Sequence, residues 1–107
     1  MENQYAKQRI VRDVKNEDLR IQITGYVKNV IENDQFILDD KTGEISVDIK
    51  EFDFNSKNDD LVNVIGDLII STDGKKMIQA DIIQDMNKLN FNYYQKLYEI
   101  KLELEEE

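Results

Sequence analysis

The feature that most constrains the fold is an alternation of apolar and polar residues that begins at Ile21 and continues to Ile49. Apolar residues take every second position in three runs, of which the second starts at Phe36 and the third at Ile45. A period of two is typical of β-strands that bury one face and expose the other. Residues 39–43 predict a tight turn between the second and third strands, closed by the positive φ of its glycine.

Gly25 lies inside the first of these strands, which we expect to span roughly residues 19–30. A glycine within a strand usually marks a bulge or a bend. A long strand that bends can pair with two neighbours, and this is how a small five-stranded barrel closes. A simple meander with an incidental glycine is the alternative.

The second half of the chain supplies the two strands that a barrel still needs. Residues 61–70 alternate and carry Gly66 in mid-strand, and residues 78–82 alternate again. Between them, residues 71–75 contain the Asp-Gly signal of a hairpin turn. Residues 51–60 break the pattern and predict a longer loop. We therefore expect a mainly β fold: a five-stranded barrel followed by one long C-terminal helix.

Both ends of the chain differ from the barrel, which gives three segments: an arm (1–18), a barrel (19–84) and a helix with an acidic end (85–107). The arm is the most basic part of the chain, and we expect an ordered segment with one short helical turn that seals one end of the barrel. A frayed terminus is the alternative. The helix begins after Asp85 or Asn87, either of which can cap it.

The C-terminal helix has two apolar stripes on opposite sides at 100° per residue. A helix on the surface of a monomer needs only one stripe. Two stripes predict two partners, the barrel and another molecule, unless the tyrosines simply lie on the surface. The predicted subunit interface comprises Leu89, Phe91, Tyr93, Tyr94, Leu97, Tyr98, Ile100, Leu102 and Leu104.

Composition excludes several kinds of chemistry. The chain has no Cys and no His, which excludes disulfides, thiolate chemistry, imidazole bases and the usual zinc sites, so we expect neither a metal nor another cofactor. The net charge is −9, of which residues 99–107 carry −4 (five acids, one Lys) and the remainder −5. Nucleic-acid binders are usually basic. With no long apolar run, we expect no membrane partner and a protein of the cytoplasm or nucleoid, or of the nucleus in a eukaryote.

With its strands placed, the chain resembles an oligonucleotide/oligosaccharide-binding (OB) fold, and more narrowly the small and middle subunits of replication protein A. The carriers are the ITGYV of the first strand, the FILDDKTG of the second strand and its turn, and the VNVIG of the fourth strand. This skeleton does not separate replication protein A from the related telomere-capping subunits. The resemblance implies a subunit of a heteromeric, archaeal-type complex that binds single-stranded DNA and joins other OB-fold subunits through its C-terminal helix.

The resemblance also implies a DNA groove across the second and third strands. Phe52 falls where the family has a stacking aromatic, and Phe54 has the same parity; the lysines that could meet phosphates are Lys28, Lys41, Lys50, Lys75 and Lys76. Asp48 and Glu51 would repel phosphate, and the turn at 71–75 lacks an aromatic. We therefore expect weak or partner-dependent contact with DNA.

Two other functions fit the sequence. The first is a protein-interaction OB module, telomere-capping-like or a recombination accessory subunit, without nucleic-acid contact. The second is a magnesium-dependent nuclease that uses Asp39, Asp40, Asp59 and Asp60, since carboxylates are the ligands magnesium prefers. Because turn and loop geometry already account for these four acids, we expect no enzyme.

Overall fold

The computed structural model describes residues 6–31, 34–49 and 57–105. The predicted positions Lys50, Phe52 and Phe54 lie outside these ranges. The elements in chain order are β1 (Lys7–Gln8), a 3-10 helix (Val11–Asp13), β2 (Arg20–Ile31), β3 (Gln35–Asp39), β4 (Glu44–Asp48), β5 (Leu61–Ile70), β6 (Lys76–Asp85) and α1 (Phe91–Glu105).

Strands β2 to β6 form a closed barrel. They are ordered β2-β3-β4-β6-β5, and β5 pairs with β2 to complete the ring. Only β4 and β6 are parallel within it; the other neighbours run antiparallel. The prediction of a five-stranded OB barrel followed by one C-terminal helix is confirmed. The short β1 adds a parallel edge to β2, with Lys7 opposite Ile21.

Strand β2 closes the barrel because it serves two neighbours. It pairs with β5 from Arg20 to Tyr26 and with β3 from Tyr26 onward. A Cβ on Gly25 would lie 2.9 Å from the carbonyl oxygen of Asp39, so this glycine permits a close approach of two backbones. The irregularity of the strand lies further on, at Asn29, whose φ is 49°.

Gly66 has a similar role between β5 and β6. A Cβ there would lie 2.1 Å from the carbonyl oxygen of Gln79, and the register of the pair shifts between Ile65 and Gly66. The predicted close approach at this glycine is therefore present, and only glycine fits the position.

The β3–β4 turn differs from the prediction in one respect. Lys41 has the positive φ, 74°, and Gly43 does not. A Cβ on Gly43 would lie 3.0 Å from a methyl carbon of Val11, so this glycine makes room for the N-terminal segment. The sequence pattern could not show this, because the contact joins positions far apart in the chain.

The barrel interior is filled by the inward-facing residues of all five strands. They are large aliphatic side chains around the fully buried Phe36. A buried polar pair joins β2 to β5, where the Thr24 hydroxyl donates to Oδ1 of Asn63 at 2.9 Å. Burial of this apolar surface is the main contribution to stability, at roughly 25 cal/mol per Å2.

The segment before β2 is ordered in the described residues from 6 onward. Arg9 is buried and makes two hydrogen bonds to the Asp18 carboxylate, at 2.9 and 3.0 Å. Val11 and Val14 pack against the barrel core. The short helical turn expected in the arm corresponds to the 3-10 helix.

Helix α1 starts later than predicted. Strand β6 continues to Asp85, and Oδ1 of Asn87 accepts a hydrogen bond from the Leu61 N–H at 2.8 Å. The residue that caps the helix is Asn90, whose Oδ1 accepts the Tyr93 N–H at 3.1 Å. Asp85 and Asn87 are therefore not the helix caps. Asp85 belongs to the end of β6, and the Asn87 side chain is hydrogen-bonded to the backbone of Leu61.

Candidate functional site

An open groove of about 410 Å3 runs along β4, between the N-terminal segment and the β5–β6 turn. A second hollow of about 310 Å3 lies on the other side of that turn and shares Ser46, Lys75 and Lys76 with the groove. The groove is lined by Val11, Val14, Ile37, Glu44, Ile45, Ser46, Gly74, Lys75 and Lys76.

The strand register places one outward-facing row of side chains across the barrel wall beside this groove. In order across β2, β3, β4, β6 and β5, the row is Lys28, Ile37, Ser46, Met77 and Ile69. Ile37 and Met77 are half-buried, and Ile69 is 44% exposed. The row has no aromatic member, so this part of the wall offers aliphatic contacts and a hydroxyl rather than a stacking platform.

Lys75 and Lys76 are held at the groove by the β5–β6 turn. Gly74 has a φ of 87°, and the Ser71 N–H donates to the carbonyl oxygen of Lys75 at 2.9 Å. Within the part of the chain that the structure describes, neither lysine ammonium forms an ion pair. These two predicted lysines therefore line one concave surface, together with a single acid, Glu44.

Lys28 and Lys41 form a different cluster around Asp59. The Lys28 ammonium lies 2.7 Å from a carboxylate oxygen of Asp59, which raises the pKa of Lys28. The hydrogen bond and charge of Lys28, with a smaller contribution from Lys41, lower the pKa of Asp59. Lys41 also lies 5.1 Å from the ring centre of Tyr26. On the groove side of the barrel, β3 and β4 lie between Lys28 on β2 and Lys76 on β6, so Lys28 is apart from the groove lysines.

Four members of the predicted subunit interface instead face the barrel. Phe91 and Tyr98 are buried, and Tyr94 and Leu102 are half-buried. The Phe91 ring packs edge-on against Tyr26, with 5.2 Å between ring centroids. In the docked helix these four side chains pack toward the barrel, and their role in a subunit interface stays a prediction.

Polar contacts fix the docked helix to three other segments. The Gln8 amide donates to the Tyr94 hydroxyl at 2.9 Å, and the Tyr98 hydroxyl donates to the Asp13 carboxylate at 3.1 Å. The Gln95 amide donates to the carbonyl oxygen of Asp40 at 2.5 Å. Burial and the nearby Asp13 carboxylate raise the pKa of Tyr98, although its contact with Arg9 acts in the opposite direction.

The other side of α1 is uncovered. Tyr93 is 61% exposed, Leu97 48%, Ile100 53% and Leu104 66%. Leu89, which precedes the helix, is half-buried. The opposed stripes predicted from the sequence thus face different surroundings, one the barrel and one solvent.

Asp40 is a residue whose importance sequence reasoning missed. It is fully buried, and its carboxylate accepts hydrogen bonds from the Val11 N–H at 2.7 Å and from the Thr42 N–H and hydroxyl at 2.9 and 2.6 Å. The β3–β4 turn therefore ties the N-terminal segment to the barrel. The only sequence signal was the adjacent pair of Asp residues, which a turn alone would explain.

The acids of the proposed nuclease centre are engaged in turns and ion pairs. Oδ1 of Asp39 accepts the Lys41 N–H, Asp59 pairs with Lys28, and Asp60 accepts the Lys57 N–H. Across residues 6–31, 34–49 and 57–105, no group of acids is placed to hold a metal ion. No helix in the same residues is long and apolar enough to cross a membrane.

The chain is similar to a known protein family and to several solved structures. A family model described as "Bacterial OB fold (BOF) protein" matches residues 3–85. No curated protein matches the chain. A chain of the S. pombe Stn1–Ten1 complex matches with a TM-score of 0.73 and 17% identity over 92% of this chain and 93% of that one.

Two further solved structures are similar. Telomere capping protein Ten1 from Saccharomyces pombe also matches with a TM-score of 0.73 and 17% identity, over 92% of this chain and 99% of that one. The hypothetical protein ygiW from E. coli matches with a TM-score of 0.60 and 18% identity, over 76% and 91%. At such identities the likeness shows the fold alone.

Proposed function

Because the chain belongs to the bacterial OB-fold (BOF) protein family, we propose that it is a binding and assembly protein rather than an enzyme. It acts as a small OB-fold subunit of a heteromeric complex, similar to replication protein A, that binds single-stranded DNA in the cytoplasm or nucleoid. It joins an OB-fold partner through the exposed side of α1 and contacts DNA weakly, or only within the complex. A bacterial family gives no support to the archaeal origin that the resemblance suggested.

The observation that carries this proposal is the uncovered side of α1. The helix is docked by Phe91 and Tyr98, yet Tyr93, Leu97 and Ile100 remain about half or more exposed. Burying a large apolar side chain is worth about 1.5–3 kcal/mol, so a row of such residues is a strong association surface. A chain of similar fold is part of the Stn1–Ten1 complex, which supports an OB-fold partner.

The groove supports a weak contact with nucleic acid. Lys75 and Lys76, which form no ion pair with the described residues, lie beside an aliphatic wall, whereas single strands are usually held by aromatic platforms of about 1–3 kcal/mol per base. The net charge of −9 opposes DNA in the isolated chain. This charge also favours the second candidate function, a protein-interaction OB module without nucleic-acid contact.

Assembly is tested by recovering the tagged full chain from its own cells as wild type, Leu97→Glu and Asn92→Glu. Both variants add one carboxylate to an exposed helix position, but only Leu97 belongs to the apolar row. We expect another OB-fold protein to accompany the wild type and Asn92→Glu and to be lost with Leu97→Glu, as measured by mass spectrometry. Recovery of the same proteins with all three chains would contradict the assembly role.

The groove is tested on the recovered complex with a fluorescent single-stranded oligonucleotide over a range of salt concentrations. Lys75→Glu/Lys76→Glu should weaken binding and reduce the salt slope by about 1.4, because each phosphate contact on a single strand contributes about 0.7. Lys57→Glu/Lys88→Glu is the charge-matched control, since both lysines are exposed and neither lines the groove. If the wild-type complex does not bind the oligonucleotide, the protein-interaction module is the better assignment.

A further inference from the structure

The exposed apolar residues of α1 form a seam with a particular spacing. We call this row, which consists of Tyr93, Leu97, Ile100 and Leu104, the seam. Its members are separated by four, three and four positions. Alternation of three and four is the heptad spacing by which one helix packs along another at a small crossing angle. The occupant that fits this seam is therefore a helix.

The spacing of the seam residues is the same in both directions along the helix. Its midpoint lies between Tyr98 and Glu99, and the spacing of four, three and four is symmetric about it. A second α1 laid antiparallel on the first places Tyr93 opposite Leu104 of the second copy and Leu97 opposite Ile100 of the second copy. A two-fold axis then relates the copies, as in most soluble dimers.

The charges beside the seam favour the antiparallel arrangement. Lys96 and Glu103 lie on one flank and Lys101 on the other, all three exposed. In the antiparallel pair, Lys96 of each copy meets Glu103 of the other, because the two-fold axis brings the same flanks together. In a parallel pair, Lys96 would instead face Lys101 of the second copy, which is repulsive on both sides.

We propose that, in the absence of another partner, two copies of this chain form a dimer in which their α1 helices pack antiparallel along the seam, with Lys96 of each beside Glu103 of the other. This goes beyond the proposed function but rests on its claim that this helix side is an interface. The dimer occupies the surface that the OB-fold partner would use, so assembly of the heteromer requires the two copies to separate.

The entropic cost of ordering α1 on association should be small. Phe91, Tyr94 and Tyr98 already hold the helix against the barrel, with Tyr94 and Tyr98 bonded to Gln8 and Asp13. The helix therefore does not have to fold on association, as a short isolated helix would. The apolar seam supplies the attraction, and the flanking charges select direction and register.

The test is a charge exchange on the purified full chain, read as molar mass by sedimentation equilibrium over a wide concentration range. Lys96→Glu and Glu103→Lys each convert both ion pairs into like-charge pairs and should weaken the dimer by about tenfold or more. An equimolar mixture of the two variants should form a mixed dimer, and the double variant should recover the wild-type mass. Both substituted positions are exposed, and recovery in the double variant also shows that the fold is unchanged.

Two results would overturn this inference. One is a wild-type chain that stays monomeric at every concentration. The other is a pair of single variants that dimerise as tightly as wild type, which rules out this register. Neither affects the test of the proposed function, because recovery from cells identifies a different protein and is sensitive to Leu97→Glu. Conversely, if the single variants weaken the dimer and the double variant restores it, the dimer is supported even if no OB-fold partner is recovered from cells.

Discussion

At the scale of single residues, Asp40 connects three separate segments of the molecule through its buried carboxylate and its backbone carbonyl. Its two oxygens receive three hydrogen bonds, from the backbone of Val11 and from both donors of Thr42. Its carbonyl oxygen accepts a fourth, from Gln95 in α1. One residue of the β3–β4 turn thus contacts the N-terminal segment and the C-terminal helix.

Asp40→Asn should therefore destabilise the protein although it is nearly isosteric. The amide nitrogen would face an N–H donor on one side or the other, which leaves a buried donor unsatisfied at a cost of about 1–3 kcal/mol. Asp39→Asn is the matched control, because Asp39 accepts a single exposed hydrogen bond. Urea unfolding should separate the two variants by about 1 kcal/mol or more, and equal unfolding free energies would contradict the role of Asp40.

At the scale of elements, α1 has one face that stabilises the chain and one that does not. Phe91→Ala removes a buried ring that packs against Tyr26 and should cost about 3–5 kcal/mol of unfolding free energy. Tyr93→Ala removes an exposed ring two positions later and should change stability by about 0.5 kcal/mol or less. Denaturant unfolding of the monomeric chain, at low concentration, checks both. A similar loss in both variants would mean that the seam packs within the chain.

The sequence predicted the elements that periodicity specifies. Alternation located the barrel strands, and the glycine in β5 correctly indicated a close approach, because backbone packing in a small barrel requires such positions. It missed β1, since a two-residue strand has no period and exists only through its pairing with β2. It also placed the helix start too early, because the choice between Asn87 and Asn90 depends on a bond to Leu61, distant in sequence.

The candidate site was predictable only in part. The sequence placed Lys75 and Lys76 beside the same strand, and the structure sets them together on a groove. Sequence could not show that Asp59 neutralises Lys28, because a loop residue and a strand residue meet only in the folded chain. The stacking role of Phe52 stays a prediction.

At the scale of the whole molecule, stability should depend on pH at the acidic end because the Asp18 carboxylate, which joins the N-terminal segment to the start of β2, has a lowered pKa. Burial alone would raise the pKa of Asp18, but the hydrogen bonds from Arg9 and from the Lys15 N–H outweigh it and hold this pKa below its usual value. A lowered carboxyl pKa stabilises the fold above the unfolded-state value, about 3.9, and this contribution is lost as the pH falls through the folded-state value.

The unfolding temperature should therefore fall as the pH drops below about 4, and the fall should be smaller in Asp18→Asn. That variant should also be less stable near neutral pH by about 3 kcal/mol, since it leaves the buried Arg9 without its counter-charge. Asp59→Asn is the comparison, because its pair with Lys28 is exposed. Calorimetry across the acidic range measures all three proteins, and parallel pH profiles for wild type and Asp18→Asn would count against this assignment.

The 3-10 helix lies between the groove and helix α1 and contacts both. Val11, at its start, forms part of the groove wall, and Asp13, at its end, is bonded to Tyr98 of α1. The wall of the groove and helix α1 are thus joined through this one short turn. We expect a partner on α1 to change the affinity of the groove for its ligand, and by thermodynamic reciprocity the ligand then changes the affinity for the partner by the same factor. Affinity for a single strand, measured with and without the partner, would give the size of that factor.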